Sequence, residues 1–190
     1  MVFNKIKILF ALSGLICAVQ VNAQSRHDVA ERNIKSCIER REIVKKKSVR
    51  ERTTFTRYDK DGNTIELIEF DRDSVAVKWE KRAFNKNGDE TLVEQLDSAG
   101  QVQRRIITEY ERHGKPILRT RYNAAGEVSS RTETDYNTFG DKILETDFGR
   151  DGKMKEKTVY EYDAKGMLTS RKNYNSEGKL TETVRYEYEY

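Results

Sequence analysis

The sequence has little of what membrane-embedded, disulfide-stabilised or proline-rich proteins need. In 190 residues there is one proline, there are two cysteines, and hydrophobic residues make up 36%. These shortages exclude a multi-spanning membrane protein, a disulfide scaffold and a proline-rich linker. They do not indicate disorder, because the charged residues, 36% of the chain, nearly cancel to +4 and residues that favour strands are plentiful.

Residues 1–23 have the pattern of a secretory signal peptide. Two lysines begin it, the run from residue 8 to residue 21 is mainly apolar, and small residues precede a cleavage site after Ala23. An uncleaved anchor helix is the alternative, although the run is shorter than the ~20 residues that span a membrane. We therefore expect an exported protein that is periplasmic, on the outer surface or secreted, with no transmembrane span after signal cleavage. Cys37 would then be its only cysteine.

The rest of the chain is a repeat with a period of 26 residues. Two interleaved sets of glycines have this spacing, and Ser74 takes the first place of the second set. Successive members of the combined series are therefore 12 and 14 residues apart in alternation. The two sets are Gly62, Gly88, Gly114, Gly140 and Gly166, and Ser74, Gly100, Gly126, Gly152 and Gly178.

Each glycine closes a five-residue motif that predicts a hairpin turn. A large apolar residue, usually aromatic, lies four positions before it, and the next residue is Asp or Asn in eight of ten copies, as in Tyr58-Asp59-Lys60-Asp61-Gly62. Asp or Asn can hydrogen-bond its own backbone two residues on, and glycine adopts positive φ without steric cost. The intervening segments, rich in Thr, Val, Ile and Tyr, are long enough for one strand each.

The repeat predicts an all-β protein, a repetitive antiparallel meander of about 11 strands built from 26-residue hairpin units. Its single sheet is expected to curl, as a half-barrel would, and a parallel β-solenoid with one coil per repeat is the alternative. The spacing of Ala30, Ile34 and Ile38 predicts a short helix over residues 26–36, followed by a first strand from Ile38 to Val44. The predicted divisions are 1–23, the signal peptide; 24–48, the helix and first strand; and 49–190, the repeat domain.

Both spacings in the repeat are even. Because side chains in a strand alternate with period two, a regular ladder would place every ring of the motif on one face of the sheet. Ile106 and Val184 would lie on the same face, and Arg105 and Arg131 on the opposite face. Bulges at the turns could shift this phase locally. The aromatic residues of the first glycine set form a ladder that is either a core covered by its own sheet or an exposed ligand platform. They are Tyr58, Phe84, Tyr110, Tyr136, Tyr162 and Tyr188.

The segment from Tyr160 to Thr169 resembles the rearrangement-hotspot, or YD, repeat, whose core is Tyr-x-Tyr-Asp-x-x-Gly-x-Leu. Looser copies cover residues 49–190. The whole pattern is also similar to small exported repeat proteins of unknown function from Bacteroides-type bacteria. The resemblance implies a secreted, non-enzymatic β-repeat protein.

The functional prediction is a non-catalytic binding or cell-surface interaction module for an unknown protein, peptide or glycan at the cell envelope. No nucleophile, phosphate-loop, dinucleotide or Cys-x-x-Cys motif is present, so we expect no catalytic residue, no cofactor and no metal site. A glycan-acting hydrolase using a carboxylate pair on the sheet is the alternative. The basic run Lys45–Lys47 indicates a solvated turn rather than nucleic-acid binding, and the last strand, Val184–Tyr190, is expected to offer an edge for self-association.

Overall fold

A computed structural model describes residues 25–45 and 48–189, and it shows one antiparallel sheet in which every strand pairs with its neighbours in sequence. The sheet is not closed into a barrel, since β1 and β12 have no pairing with each other. The predicted all-β meander is confirmed, with twelve strands in the described residues, and the parallel solenoid is wrong. The strands are β1 (Ser36–Lys45), β2 (Ser48–Tyr58), β3 (Thr64–Phe70), β4 (Ala76–Phe84), β5 (Glu90–Leu96), β6 (Val102–Tyr110), β7 (Pro116–Asn123), β8 (Val128–Tyr136), β9 (Lys142–Phe148), β10 (Met154–Tyr162), β11 (Leu168–Asn175) and β12 (Leu180–Arg185).

Within the described residues one helix, α1 (Arg26–Glu31), precedes the sheet, and it is shorter than predicted. Ser25 and Asp28 form a capping box at its start. Asn33 ends it with a left-handed conformation, φ 51°, and the amides of Asn33 and Ile34 bond back to the carbonyls of Ala30 and Val29. This left-handed closure stops the helix before residue 36. In the described part of the chain, no helix has the length and apolar character to cross a membrane; the predicted signal peptide lies outside the described residues.

The turns have the chemistry that the motif predicts. All nine motif glycines and Ser74 adopt positive φ, and Ser74 does so at φ 59° without the freedom of a glycine. In each of the eight Asx turns, the Oδ1 atom accepts hydrogen bonds from the amides two and four residues on, as Asp97 does from Ala99 and Gln101, at 2.9 Å each. The turn amide of Gly100 closes back on the Asp97 carbonyl at 3.0 Å.

Each hairpin from β2–β3 onward carries one extra residue on its second strand, three positions after the turn glycine. In the β6–β7 hairpin, Tyr110 pairs with Pro116 but Glu109 pairs with Leu118, so Ile117 has no partner in the register. Such a bulge reverses the alternation of side chains once per hairpin. The unpaired residues are Ile65, Val77, Thr91, Gln103, Ile117, Ser129, Ile143, Lys155, Thr169 and Thr181.

The bulges correct the prediction that all motif rings share one face. Tyr122 pairs with Arg105, whereas Tyr110 shares its side of β6 with Ile106 and Thr108, so consecutive rings lie on opposite faces. The six residues of the predicted ladder do lie together, on what we call the ladder face. The large apolar residues of the second glycine set lie on the other side, which we call the reverse face: Phe70, Leu96, Tyr122, Phe148 and Tyr174.

In the part of the chain that the structure describes, the sheet is a single layer with solvent on both faces. Among the described residues, Val29 in the helix is the only buried apolar side chain. The buried residues of the strands are polar, namely Glu80, Thr108, Thr120, Thr134 and Ser170. Folding therefore depends on cross-strand pairs, rings lying over neighbouring strands and turn hydrogen bonds, rather than on a covered core.

Acid is expected to weaken the first Asx turn through Asp59. Burial raises the pKa of this carboxyl, but hydrogen bonds from the Asn63 side chain and from the amides of Asn63 and Asp61 lower it further, so that the pKa lies below its ordinary value. A group with a lowered pKa stabilises the folded state above its unfolded pKa of about 3.9, and this contribution is lost as the pH falls through the folded value. Asp59→Asn should therefore lower the urea midpoint at pH 7, and the difference from the wild type should disappear as the pH falls through the lowered pKa of the folded state.

The matched control is Asp61→Asn in the same turn, because the described structure shows no hydrogen bond to the Asp61 side chain. Its urea midpoint should follow the wild type at both pH values. A loss for Asp59→Asn that is the same at pH 7 and in acid would show that the charge of Asp59 does not stabilise the turn.

Candidate ligand-binding face

Four ladder tyrosines are fixed by the same hydrogen bond. Each phenol donates to the backbone carbonyl of the residue 20 positions earlier, at 2.8 to 3.0 Å. Each bond joins the end of one strand, or the residues just after it, to the first residue of the strand before it, across the open end of the hairpin that the two strands form. The pairs are Tyr110 with Glu90, Tyr136 with Pro116, Tyr162 with Lys142, and Tyr188 with Leu168.

The bulged hairpins explain why these carbonyls accept. Glu90 lies two residues before Leu92 in the chain. The pair of Leu92 with Ile107 is the last pair between β5 and β6 at this end of the strands. The Glu90 carbonyl therefore has no ladder partner from β6, and the Tyr110 hydroxyl takes the place of a backbone donor. The same offset occurs for Pro116, whose neighbour Leu118 forms the last pair of β7 with β8. The phenol thus satisfies an acceptor that the repeat leaves open at each unit.

The ladder residues are neither fully covered nor fully exposed. Tyr58, Phe84, Tyr110, Tyr136 and Tyr162 are half-buried, and Tyr188 is 41% exposed. Burial raises the pKa of Tyr110, Tyr136 and Tyr162, so their phenols stay protonated and remain donors near neutral pH. Part of each of these side chains is therefore exposed to solvent, on a face over which no other helix or strand of the described residues packs.

Two further tyrosines extend the ladder face near the C-terminus. Tyr160 shares the face because it is two residues before Tyr162 on β10, and Tyr186 follows β12, donating its amide to the carbonyl of Thr169 at 3.0 Å. The Lys142 ammonium lies 5.7 Å from the centre of the Tyr160 ring and also donates to Glu145. The Tyr-x-Tyr spacing in the sequence could have indicated both tyrosines. The predicted ladder missed them because it was defined only by the period of the glycines.

Carboxylates on the ladder face are mostly bound by cations. Glu80, only 7% exposed, contacts Lys78 at 3.3 Å and Arg82 at 2.8 Å. Burial raises the pKa of Glu80, but hydrogen bonds from Arg82 and Lys78 lower it more, and the net pKa is below its ordinary value. This carboxylate is a fixed anion that holds two neighbouring cations in place.

The reverse face has its own aromatic contacts. The indole of Trp79 donates to Glu66 at 3.0 Å, and the guanidinium of Arg131 lies 4.8 Å from the centre of the Phe148 ring. Its tyrosines, Tyr122 and Tyr174, are half-buried like those of the ladder. No phenol-to-carbonyl bond of theirs is found in the described structure, so the repeated anchor distinguishes the ladder face.

The described residues contain no group of three or more His, Cys, Asp or Glu side chains placed to hold a metal ion. His113, in the turn between β6 and β7, is exposed. β12 ends at Arg185 and pairs with β11 alone among the described strands; Tyr190 lies outside the described residues. The predicted edge association of Val184–Tyr190 stays a prediction.

No protein-family model matches this sequence, and no curated protein matches it. Solved structures resemble it weakly. A porin-like protein from Bacteroides uniformis has 13% identity over 78% of this chain and 93% of that one, with a TM-score of 0.31. A protein of unknown function from Bacteroides fragilis has 10% identity over 82% and 96%, with a TM-score of 0.24.

TarM has 10% identity over 82% of this chain, with a TM-score of 0.27, and the match covers 22% of TarM. The chain therefore spans about a fifth of the length of TarM. Similarities this weak assign no function, and the resemblance to the YD repeat stays a prediction from the motif.

Proposed function

We propose that this chain is an exported, non-catalytic β-repeat protein of YD type that binds a glycan at the cell envelope through its ladder face. The observation that carries the proposal is the series of phenol-anchored rings on a sheet face that no other described helix or strand covers. An anchored ring loses little conformational freedom when a ligand stacks on it, so binding costs less entropy. Partly exposed rings with fixed neighbours are suited to stacking against sugar rings.

The repeat supports a surface for an extended ligand rather than for a small molecule. Successive ladder rings are two strands apart, which is about 10 Å across the sheet at ~4.8 Å per strand. A polymer lying across the strands would meet equivalent rings at regular intervals. Several weak contacts of the same kind then add to a useful affinity.

The competing proposal is a glycan hydrolase that uses two carboxylates. Glycosidases hold their two carboxyl groups about 5 to 10 Å apart at a cleft. On the ladder face Glu80 is neutralised by Lys78 and Arg82, and Glu145 contacts Lys142. Engaged carboxylates favour binding over acid–base chemistry, and the release of reducing ends from a bound polysaccharide would decide for the hydrolase.

Binding is tested by comparing the mature chain with two single-ring variants on an array of immobilised neutral and acidic polysaccharides. Tyr110→Ala removes a ladder ring, and Tyr122→Ala removes the next ring along the chain from the reverse face. We expect the wild type and Tyr122→Ala to be retained by the same polysaccharides and Tyr110→Ala to bind about tenfold more weakly, as the loss of one stacking contact predicts.

Hydroxyl-radical footprinting of the wild-type chain provides a measurement that does not depend on how the variants fold. A bound polysaccharide should protect Tyr136 and Tyr162 and leave Tyr174 accessible. Retention by no polysaccharide, or equal protection of both faces, would overturn the proposal.

A further inference from the structure

Three arginines on the ladder face lack the carboxylate partners that most of its other cations have. Arg41, Arg52, Lys78, Arg82, Lys142 and Arg171 each form an ion pair of 4.0 Å or less with an acidic residue. Within the described residues, the exceptions on this face are Arg50, near the tip of the first hairpin, Lys115, whose ammonium lies 5.3 Å from the centre of the Tyr136 ring, and a cluster in the middle of the sheet. That cluster is Arg104, Arg119 and Arg121, which we call the arginine cluster.

The register brings the three arginines together. Arg119 and Arg121 are two residues apart on β7, about 7 Å along a strand. Arg104 on β6 pairs with Asn123 and is thus the diagonal neighbour of Arg121, at about 7 to 8 Å between Cα atoms. Like charges at this separation repel each other and destabilise a sheet. Three unneutralised guanidinium groups side by side, on a face that neutralises most others, indicate selection for a bound anion.

Neutral hydrogen-bonding groups surround the cluster. The Arg121 guanidinium is 3.5 Å from the hydroxyls of both Ser130 and Thr132, and Gln95 pairs with Arg104. Asp147, the carboxylate across β8 from Arg119 in the register, accepts the Thr132 hydroxyl at 2.5 Å. Guanidinium groups beside hydroxyls and an amide match a ligand that has both acidic groups and sugar hydroxyls.

Ladder tyrosines flank the cluster on the same face. Arg119 acts electrostatically on both Tyr110 and Tyr136. A depression of about 90 Å³, lined by Arg119, Thr132, Tyr136, Lys142 and Glu145 among others, lies beside it, and the Glu145 carboxylate there is paired with Lys142. A substituent as small as a carboxylate or sulfate can enter a depression of this size while the sugar ring stacks on the tyrosine.

We propose that the arginine cluster selects acidic polysaccharides, those bearing carboxylate or sulfate groups, as the ligands of the ladder face. This inference rests on the proposed glycan-binding function and names its ligand class. Nucleic acid is disfavoured because strong phosphate-backbone binding commonly uses six to ten cationic contacts, and the face carries three clustered free arginines among many carboxylates.

Three polymers with the same backbone test the proposal: dextran, carboxymethyl-dextran and dextran sulfate. The triple variant Arg104→Gln, Arg119→Gln and Arg121→Gln removes the cluster. Its control is the triple variant Arg40→Gln, Lys157→Gln and Arg185→Gln, which removes three cations from the reverse face and changes the net charge equally. Affinities are measured by calorimetry at low and at physiological salt.

We expect the wild type and the control variant to bind at least one charged dextran more tightly than dextran, with an affinity that falls as salt rises. The cluster variant should bind about 30-fold more weakly, as the loss of three exposed ion pairs predicts. Equal weakening by the control variant would reduce the effect to net charge and overturn the inference. Tighter binding of a 20-nucleotide oligothymidylate than of either charged dextran would also overturn it, in favour of nucleic acid.

The two proposals can fail separately. If the array shows ladder-dependent binding of neutral polysaccharides and the cluster variant binds them as the wild type does, the acidic-ligand inference is wrong and the glycan-binding function stands. If the wild type binds no polysaccharide, the function itself is wrong. Urea unfolding of both triple variants establishes that each is folded, and relief of repulsion should make the cluster variant at least as stable as the wild type.

Discussion

Gly62→Ala is expected to lower the free energy of unfolding by about 2–5 kcal/mol, more than the same change at other turn glycines. Gly62 has φ +78°, and a Cβ atom built there would lie 2.1 Å from the carbonyl oxygen of Arg26 and 3.1 Å from the amide nitrogen of Ala30. Both atoms belong to the backbone of α1, so they cannot move aside as a flexible side chain can. The helix must shift or leave the turn.

Gly126→Ala is the matched control for this prediction. Gly126 has the same φ of +78°, and no atom lies within 4 Å of the position of its Cβ. Its cost should be the left-handed penalty alone, about 1–2 kcal/mol. Urea unfolding of both variants measures the difference directly. Equal losses would show that α1 does not pack on the first Asx turn in solution.

Tyr136→Ala is expected to cost about 2–4 kcal/mol, which is less than for a ring in a closed core because Tyr136 is only half-buried. The change removes three contacts: the hydrogen bond to the Pro116 carbonyl at 3.0 Å, the ring packing over the neighbouring strands, and the cation–π contact with Lys115 at 5.3 Å. Tyr136→Phe keeps the ring and loses the hydrogen bond, so it should cost about 0.5–1.5 kcal/mol.

The sequence offers the reciprocal experiment at Phe84, the ladder residue without a phenol. The residue 20 positions earlier is Thr64, the first residue of β3, as Glu90 is of β5. Phe84→Tyr should therefore place a hydroxyl near the Thr64 carbonyl and stabilise the chain by about 0.5–1 kcal/mol. Thermal and urea unfolding of the three variants give the measurement. If Tyr136→Phe and Phe84→Tyr both leave stability unchanged, the anchor contributes nothing.

Turn chemistry and period were readable from the sequence because both are local. Asp97 needs only the amides of Ala99 and Gln101 to define its turn, and Ser74 could be recognised as a turn residue from its place in the series alone. The face of each ring was not local in this sense. A single unpaired residue such as Ile117 changes the face on which every later side chain of the strand lies. No residue type identifies the bulge positions in the sequence, since the ten of them hold Ile, Val, Thr, Gln, Ser and Lys.

The candidate site was predictable in part for the same reason. The six ladder residues share a face because two bulges per 26-residue period cancel, so a prediction based on even spacing held for that set while failing for alternate rings. The arginine cluster was invisible, because Arg104 becomes a neighbour of Arg121 only through the β6–β7 register. Whether an arginine has a carboxylate partner depends on residues one or two strands away.

The bulges also determine how such a chain can change in length. If one complete period of two strands and two turns were removed, every later strand would keep its direction and every later side chain would keep its face. The remaining tyrosines would again lie 20 positions after the carbonyls to which they donate. Removing a single strand and its turn would move every later side chain to the opposite face of the sheet. Phe148 would then lie on the ladder face in place of Tyr136. Natural variants of this architecture should therefore gain or lose material in whole two-strand modules, and a ligand surface made in this way grows by duplication without redesign.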